Sequence, residues 1–225
     1  MSQQPGQQGT GIHIRPPLRM PQPPGTATLR PPPLSFIERT WRVTHSTLPM
    51  WKKAKNVRIS YKALRESDGT VKGLDDTVTS EDVDGKPEGL GSKLFSLKTI
   101  RGVDYPQGEG LEGDSQVEEG QQGVYRKWAW KGNGWLKIAG GSKWEVLGWG
   151  VYLDGNGGRV AWVVTWFEAT LFTPAGVDFY SDRKDGVALG LYEKIVGSLR
   201  GLGREKGCAE LGKLAEAIFP VKIDA

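Results

Sequence analysis

Residues 128–166 read WAWKGNGWLKIAGGSKWEVLGWGVYLDGNGGRVAWVVTW, and this stretch decides the fold. It holds seven of the nine tryptophans and is broken by Gly-Asn-Gly at 132–134 and Asp-Gly-Asn-Gly-Gly at 154–158. Asn-Gly and Asp-Gly accept the positive φ that tight hairpin turns need, so the aromatic runs around them predict antiparallel neighbouring strands. Strand side chains alternate between faces, which places Trp128 with Trp130, and Trp162 with Trp166, on common faces. So many indoles aimed at one interior imply either dense packing or a wall for an apolar guest.

Outward from this block the same pattern continues. Trp41, Val43 and His45 share one face of a strand, and residues 56–64 alternate Val57, Ile59 and Tyr61 against Arg58, Ser60 and Lys62. Asp68-Gly69 and Asp84-Gly85 bracket a third strand over 75–83, and a fourth runs over 93–103. Residues 105–123 form a glycine-rich acidic loop; the tryptophan block supplies about three strands and 177–181 the last. About eight evenly spaced, turn-linked strands predict an up-and-down antiparallel barrel or a sandwich. Helical spacing comes only afterwards, in Val187, Leu191, Ile195, Leu199 and Leu202, and again over 208–218 before Pro220.

The first 34 residues carry nine of the fourteen prolines and no periodic apolar pattern, so a disordered tail is expected there. The expected division is a tail over 1–34, a barrel over 35–184 and helices packed on it over 185–225. The net charge is +4, but residues 1–37 hold Arg15, Arg19 and Arg30 and no acid, which leaves +1 for the rest. The cluster Lys52, Lys53, Lys55 and Arg58 straddles a turn and reads as a solvated strand end, so no nucleic-acid partner is expected. No apolar run is long enough for a spanning helix, the N-terminus lacks the apolar core of a secretory signal, and Cys208 is the only cysteine. The expectation is a cytoplasmic protein without disulfides or stable membrane insertion.

The order of strands then helices resembles the lipocalins, within the wider calycin group. SFIERTWRV at 35–43 resembles their opening motif, with Trp41 as the tryptophan that closes the barrel floor and Arg39 where a glycine is usual. Arg183, in FYSDRKDG, matches the cation that the family stacks on that tryptophan. The family's middle Thr-Asp-Tyr motif has no counterpart in VYLDGNGGR at 151–159. The disulfide-free, intracellular character departs from the common secreted lipocalins and is similar to fungal lipocalin-like proteins, some of which cyclise metabolites. The resemblance implies an all-β, eight-stranded up-and-down antiparallel β-barrel with C-terminal helices. It further implies binding or carriage of a small hydrophobic metabolite inside the barrel, with a cofactor-independent cyclase or isomerase on the same scaffold as the alternative.

Trp41, Tyr61, Trp128, Trp130, Trp162, Trp166 and Phe179 are the expected lining. His45, two residues beyond Val43 on the Trp41 face, is the first candidate for proton transfer, against the commoner role of a hydrogen-bonded structural histidine. Glu168, in phase with Trp162, Val164 and Trp166, is the second, against a solvated strand end. Arg101, among Leu97, Thr99 and Val103, either binds an anionic group or covers the outer wall, and Glu145 has the same ambiguity. Two histidines, His13 and His45, and one cysteine cannot make a metal cluster, and GLGREKG at 201–207 ends a helix instead of opening one. No cofactor is expected, haem included, because the second half of the chain has no histidine. The segment Pro21–Pro24 offers a weak PxxP-like site for a protein partner.

Overall fold

The computed structural model describes residues 12–26, 29–84, 97–108, 125–133, 141–153, 157–171 and 173–224. A one-turn helix α1 (Leu34–Ile37) leads into strands β1 (Thr40–Ser46) and, after a 3₁₀ turn at Pro49–Lys53, β2 (Ala54–Arg65). The chain continues through β3 (Val71–Asp82), β4 (Leu97–Gln107), β5 (Lys127–Gly132), β6 (Ser142–Leu153), β7 (Arg159–Phe167) and β8 (Gly176–Ser181). Helices α2 (Leu189–Leu202) and α3 (Ala209–Ala217) follow, and a two-residue strand β9 (Phe219–Pro220) ends the order. Each of β1 to β7 pairs antiparallel with the next, and β8 returns to β1, which closes an eight-stranded up-and-down barrel. β9 adds to β1 through His45 and Ser46. This is the lipocalin-like architecture that the opening motif implied; the third and fourth strands lie at 71–82 and 97–107 instead of 75–83 and 93–103. Most of the acidic segment 105–123 and the two glycine-rich turns of the tryptophan block lie wholly or partly outside the described residues.

Two cores result, one on each side of the barrel wall. The inner core gathers Trp41, Val43, Val57, Ile59, Tyr61, Leu74, Trp128, Trp144, Val146, Val163 and Tyr180. The outer core gathers Leu147, Trp162, Val164, Trp166, Val177 and Phe179 under Leu191, Ile195 and Leu199 of α2 and Leu211 of α3. β7 reads apolar on both faces because both are covered, one by the barrel interior and one by helices. It presents Ala161, Val163 and Thr165 inward and the large Trp162 and Trp166 outward.

Irregularities in the ladder reset side-chain parity. Between Val43 and His45, β1 has one residue more than β8, so Val43 faces Tyr180 inside while His45 opposes Phe179 outside. A second bulge between Val146 and Gly148 turns both Leu147 and Gly148 outward.

The expected tail disorder does not hold for residues 12–26 and 29–34. Ile14 and Met20 sit in the outer core, and the Arg15 amide donates to the Leu147 carbonyl at the β6 bulge, 2.9 Å away. Arg15, only 2% exposed, pairs at 3.0 Å with the fully buried Glu145, and the Leu18 amide donates to the same carboxylate at 2.9 Å. Arg19 lies over the Trp166 ring and pairs with Glu210 of α3, tying this strap to wall and helix alike. Proline density forbids a helix there but not an extended strap, and the buried arginine supplies what a periodic pattern would otherwise signal.

Candidate functional site

The barrel interior is aromatic on one side and acidic on another. Tyr61 from β2 stacks on Trp144 from β6 at 5.7 Å, Trp144 on Trp128 from β5 at 6.0 Å, and Tyr125 meets Trp128 edge-on at 5.3 Å. Trp41 is fully buried, donates its indole N–H to the Ile37 carbonyl at 3.0 Å, and touches Phe36 and Tyr180. The cation over its ring is Arg39, at 5.1 Å, which also covers Phe36 at 4.7 Å. Arg39 stands where the family has glycine; Arg183, expected in that role, instead pairs with Asp185.

Three aspartates project into this interior. Asp76 lies on β3 opposite Tyr61 and Gly102, and Asp104 on β4 opposite Leu74 and Trp130, so the two are diagonal neighbours on one face. Asp178 sits on β8 opposite Ser46 and Thr165. Each takes an indole partner: Trp144 donates to Asp104 at 2.7 Å, Trp51 donates to Asp178 at 3.2 Å, and the Trp130 indole faces Asp76. Gly102 is required by this arrangement, since a side chain there would run into the Trp130 indole. Asp178 also accepts from Ser46 Oγ at 2.5 Å and is satisfied at both oxygens.

Asp76 and Asp104 are not satisfied. Among the described residues, Oδ1 of Asp76 and Oδ2 of Asp104 are buried without a hydrogen-bond partner, as is the Tyr180 hydroxyl, which lies near Tyr61 and Thr165 without a well-formed bond to either. Among the described residues no lysine, arginine or histidine pairs with these two acids. Burial first, then the neighbouring Asp104 and Asp75, push the Asp76 carboxyl well above the usual range against the opposing Trp130 indole. Burial likewise pushes Asp104 up against the Trp144 hydrogen bond, and Asp178 to about 7 against its bonds from Ser46 and Trp51. Burial and the nearby acids also raise the Tyr61 and Tyr180 hydroxyls. Burial therefore favours the neutral forms of these acids and phenols, which with the indoles make the interior a set of hydrogen-bond donors below about pH 7.

The expected site residues divide between the faces. Trp41, Tyr61, Trp128 and Trp130 belong to the inner cluster; Trp162, Trp166 and Phe179 belong to the outer core and line no interior. His45 leaves the interior through the β1 bulge, stacks on Tyr192 of α2 at 4.3 Å and lies 5.9 Å from Phe179. Burial pushes its imidazole down to about 4, so it packs as a neutral ring. Glu168 lies beyond the end of β7, half-buried, in an ion pair with Lys127 at 2.8 Å. Arg101 is exposed on β4, opposite Thr77. The three proposed catalytic groups thus do not converge, and Glu145 belongs to the outer ion pair. Sequence reasoning missed Trp144, Tyr180 and the three aspartates. The available signal was aspartate amid apolar strand residues, as in GVDYP at 102–106 and GVDFY at 176–180, where a strand-depleted residue recurs. No group of three or more His, Cys, Asp or Glu side chains able to hold a metal occurs among the described residues. No helix among them is long and apolar enough to cross a membrane.

No protein-family model matches the chain, and no curated protein matches it. Among solved structures it is similar to apocrustacyanin C1, at 11% identity over 84% of this chain and 79% of that one, with a TM-score of 0.46. It is also similar to lobster apocrustacyanin A1 (12% identity, 85% and 79% covered, TM-score 0.47). A third is the siderocalin Ex-FABP (13% identity, 84% and 95% covered, TM-score 0.42).

Proposed function

We propose that the barrel binds a small, largely apolar metabolite against the inner aromatic wall. The observation that carries this reading is the interior itself, where stacked Tyr61, Trp144 and Trp128 adjoin buried polar atoms that have no partner among the described residues. A purely structural core would satisfy such atoms or dispense with them. A small-molecule site combines a mostly apolar lining with a few convergent polar groups, and an eight-stranded barrel is wide enough to hold one such guest. The test is titration with a neutral hydrophobic fluorophore, N-phenyl-1-naphthylamine. Saturable binding with energy transfer from the indoles is expected. It weakens in Trp144→Leu and Trp128→Leu, and is unchanged in Trp166→Leu, whose ring lies on the outer wall. Lack of saturable binding, or equal loss in all three variants, refutes the reading.

A second reading is a cofactor-independent cyclase or isomerase in the same interior. Its support is the set of carboxyls that burial pushes toward the protonated form, which can act as acids toward an enclosed apolar substrate. His45, Glu168 and Arg101 take no part in it. Product formation from an apolar metabolite, lost in Asp104→Leu while fluorophore binding persists, would favour the enzyme over the carrier.

A further inference from the structure

The barrel interior holds three buried polar groups without hydrogen-bond partners among the described residues. Trp144 donates its indole N–H to Asp104 Oδ1 at 2.7 Å, and the Trp130 indole faces Asp76. The other oxygens, Asp104 Oδ2 and Asp76 Oδ1, are free and buried, as is the Tyr180 hydroxyl. Asp104 and Tyr180 are 0% and 1% exposed and Asp76 is 6% exposed. These three groups come from β4, β8 and β3 and all lie close to Tyr61. Two adjacent carboxyls cannot both ionise in so dry a place without a cation, and none pairs with them among the described residues. A proton on either free oxygen has no acceptor among the described residues.

Resting on the reading that the barrel binds an apolar guest, we propose that Asp76, Asp104 and Tyr180 form a donor site for the carbonyl oxygen of that guest. The ligand class is a neutral, largely apolar carbonyl compound: a ketone, an enone or an unsaturated acyl group. Its oxygen accepts from the acid hydroxyls and the phenol, while its hydrocarbon body lies against Tyr61, Trp144 and Trp128. Donors fixed in advance around one oxygen polarise a carbonyl at little reorganisation cost, which is the chemistry of an oxyanion hole. The titratable groups near the pair are Tyr61 on β2, Asp75 on β3 and Tyr180 on β8, with Asp178 acting on Tyr180 and the indoles of β5 and β6 beside them. All are neutral or acidic, so raising the pH removes donors and adds none.

The test uses 6-propionyl-2-(dimethylamino)naphthalene, a neutral ketone whose emission shifts to the red when its carbonyl accepts hydrogen bonds. Its carbonyl-free analogue, 2-(dimethylamino)naphthalene, is the control. At pH 6 the ketone should bind about tenfold or more tightly than the control, with red-shifted emission and a lowered carbonyl stretching frequency. The preference should disappear by pH 9. Asp104→Asn, which keeps an N–H donor, should retain much of it. Asp104→Leu and Asp76→Leu should abolish it while still binding the control, which shows that they fold. Equal affinity for ketone and control, or a preference that survives both leucine variants, overturns the donor site and leaves the apolar-guest reading standing. Affinity that instead rises with pH, for a cationic naphthylamine derivative in place of the ketone, also overturns it. Failure of the control to bind at any pH overturns both.

Discussion

Replacing Asp178 with asparagine tests whether the barrel folds around protonated carboxyls. Asp178 is fully buried, and its oxygens accept from Ser46 Oγ at 2.5 Å and Trp51 Nε1 at 3.2 Å. Burial outweighs those two bonds and pushes the carboxyl from 3.8 to about 7. The unfolded chain gives up this proton near the ordinary value, so between the two values the folded chain holds one proton more. The stability from this group is fully present below pH 3.8, falls as pH rises, and is lost by about pH 7. A displacement of that size corresponds to about 4 kcal/mol, and relaxation around the buried charge reduces it, so at least about 2 kcal/mol should be measurable. Asparagine reproduces the protonated form: Oδ1 accepts from Trp51, and Nδ2 donates to Ser46 Oγ, which keeps a second lone pair for the Leu48 amide at 2.8 Å. His45 has the opposite sign. Its folded value of about 4 lies below 6.5, so its contribution is present above pH 6.5 and lost as pH falls toward 4. The wild-type profile mixes both slopes, but the difference between wild type and Asp178→Asn removes the histidine. Urea midpoints for the two proteins from pH 4 to 8 should diverge in the variant's favour up to about pH 7 and run parallel above it. Parallel curves throughout would refute the claim that Asp178 is protonated in the fold.

The strap provides the next test: Arg15→Met leaves the Glu145 carboxylate buried without its cation and should cost about 3–5 kcal/mol in urea unfolding, while Arg15→Met/Glu145→Leu should recover most of it. Removing residues 1–26 should lower the thermal midpoint by several degrees, because Ile14, Arg15 and Met20 leave the outer core. Trp166→Ala should cost about 3–5 kcal/mol, by chemical denaturation, without changing fluorophore affinity in the folded protein. Arg39→Ala should lose about 1 kcal/mol through the half-buried cation over Trp41 and Phe36, with Arg39→Lys losing less.

The strand order was legible because turn residues and alternation are local. Alternation and the breaks between aromatic runs marked the tryptophan block as antiparallel strands, and the i, i+4 spacing of Leu191, Ile195 and Leu199 marked α2. Which face turned inward was not legible for β7, since RVAWVVTWF is apolar on both faces and period alone cannot choose between them. The choice was made by elements far away in sequence. An amphipathic α2 and a proline-rich strap need an apolar outer wall, and Trp162 and Trp166 supply it. His45 was lost for a different reason: a single extra residue in β1 inverts every side chain beyond it, and no composition signal marks the bulge.

The aspartates carry the remaining lesson, because burial alone does not separate a structural acid from a functional one. Asp178 and Asp104 are equally buried, and burial raises both carboxyls. They differ in what surrounds the second oxygen. Asp178 is held by a serine and an indole and orders the 3₁₀ turn that carries Trp51, so its protonation is a matter of folding. Asp104 spends one oxygen on Trp144 and leaves the other bare beside the bare oxygen of Asp76 and the hydroxyl of Tyr180. A buried group without a partner costs the fold free energy that a leucine would not. Two acids and a phenol carrying that cost at one place, against a stacked aromatic wall, are accounted for when an enclosed molecule supplies the missing acceptor.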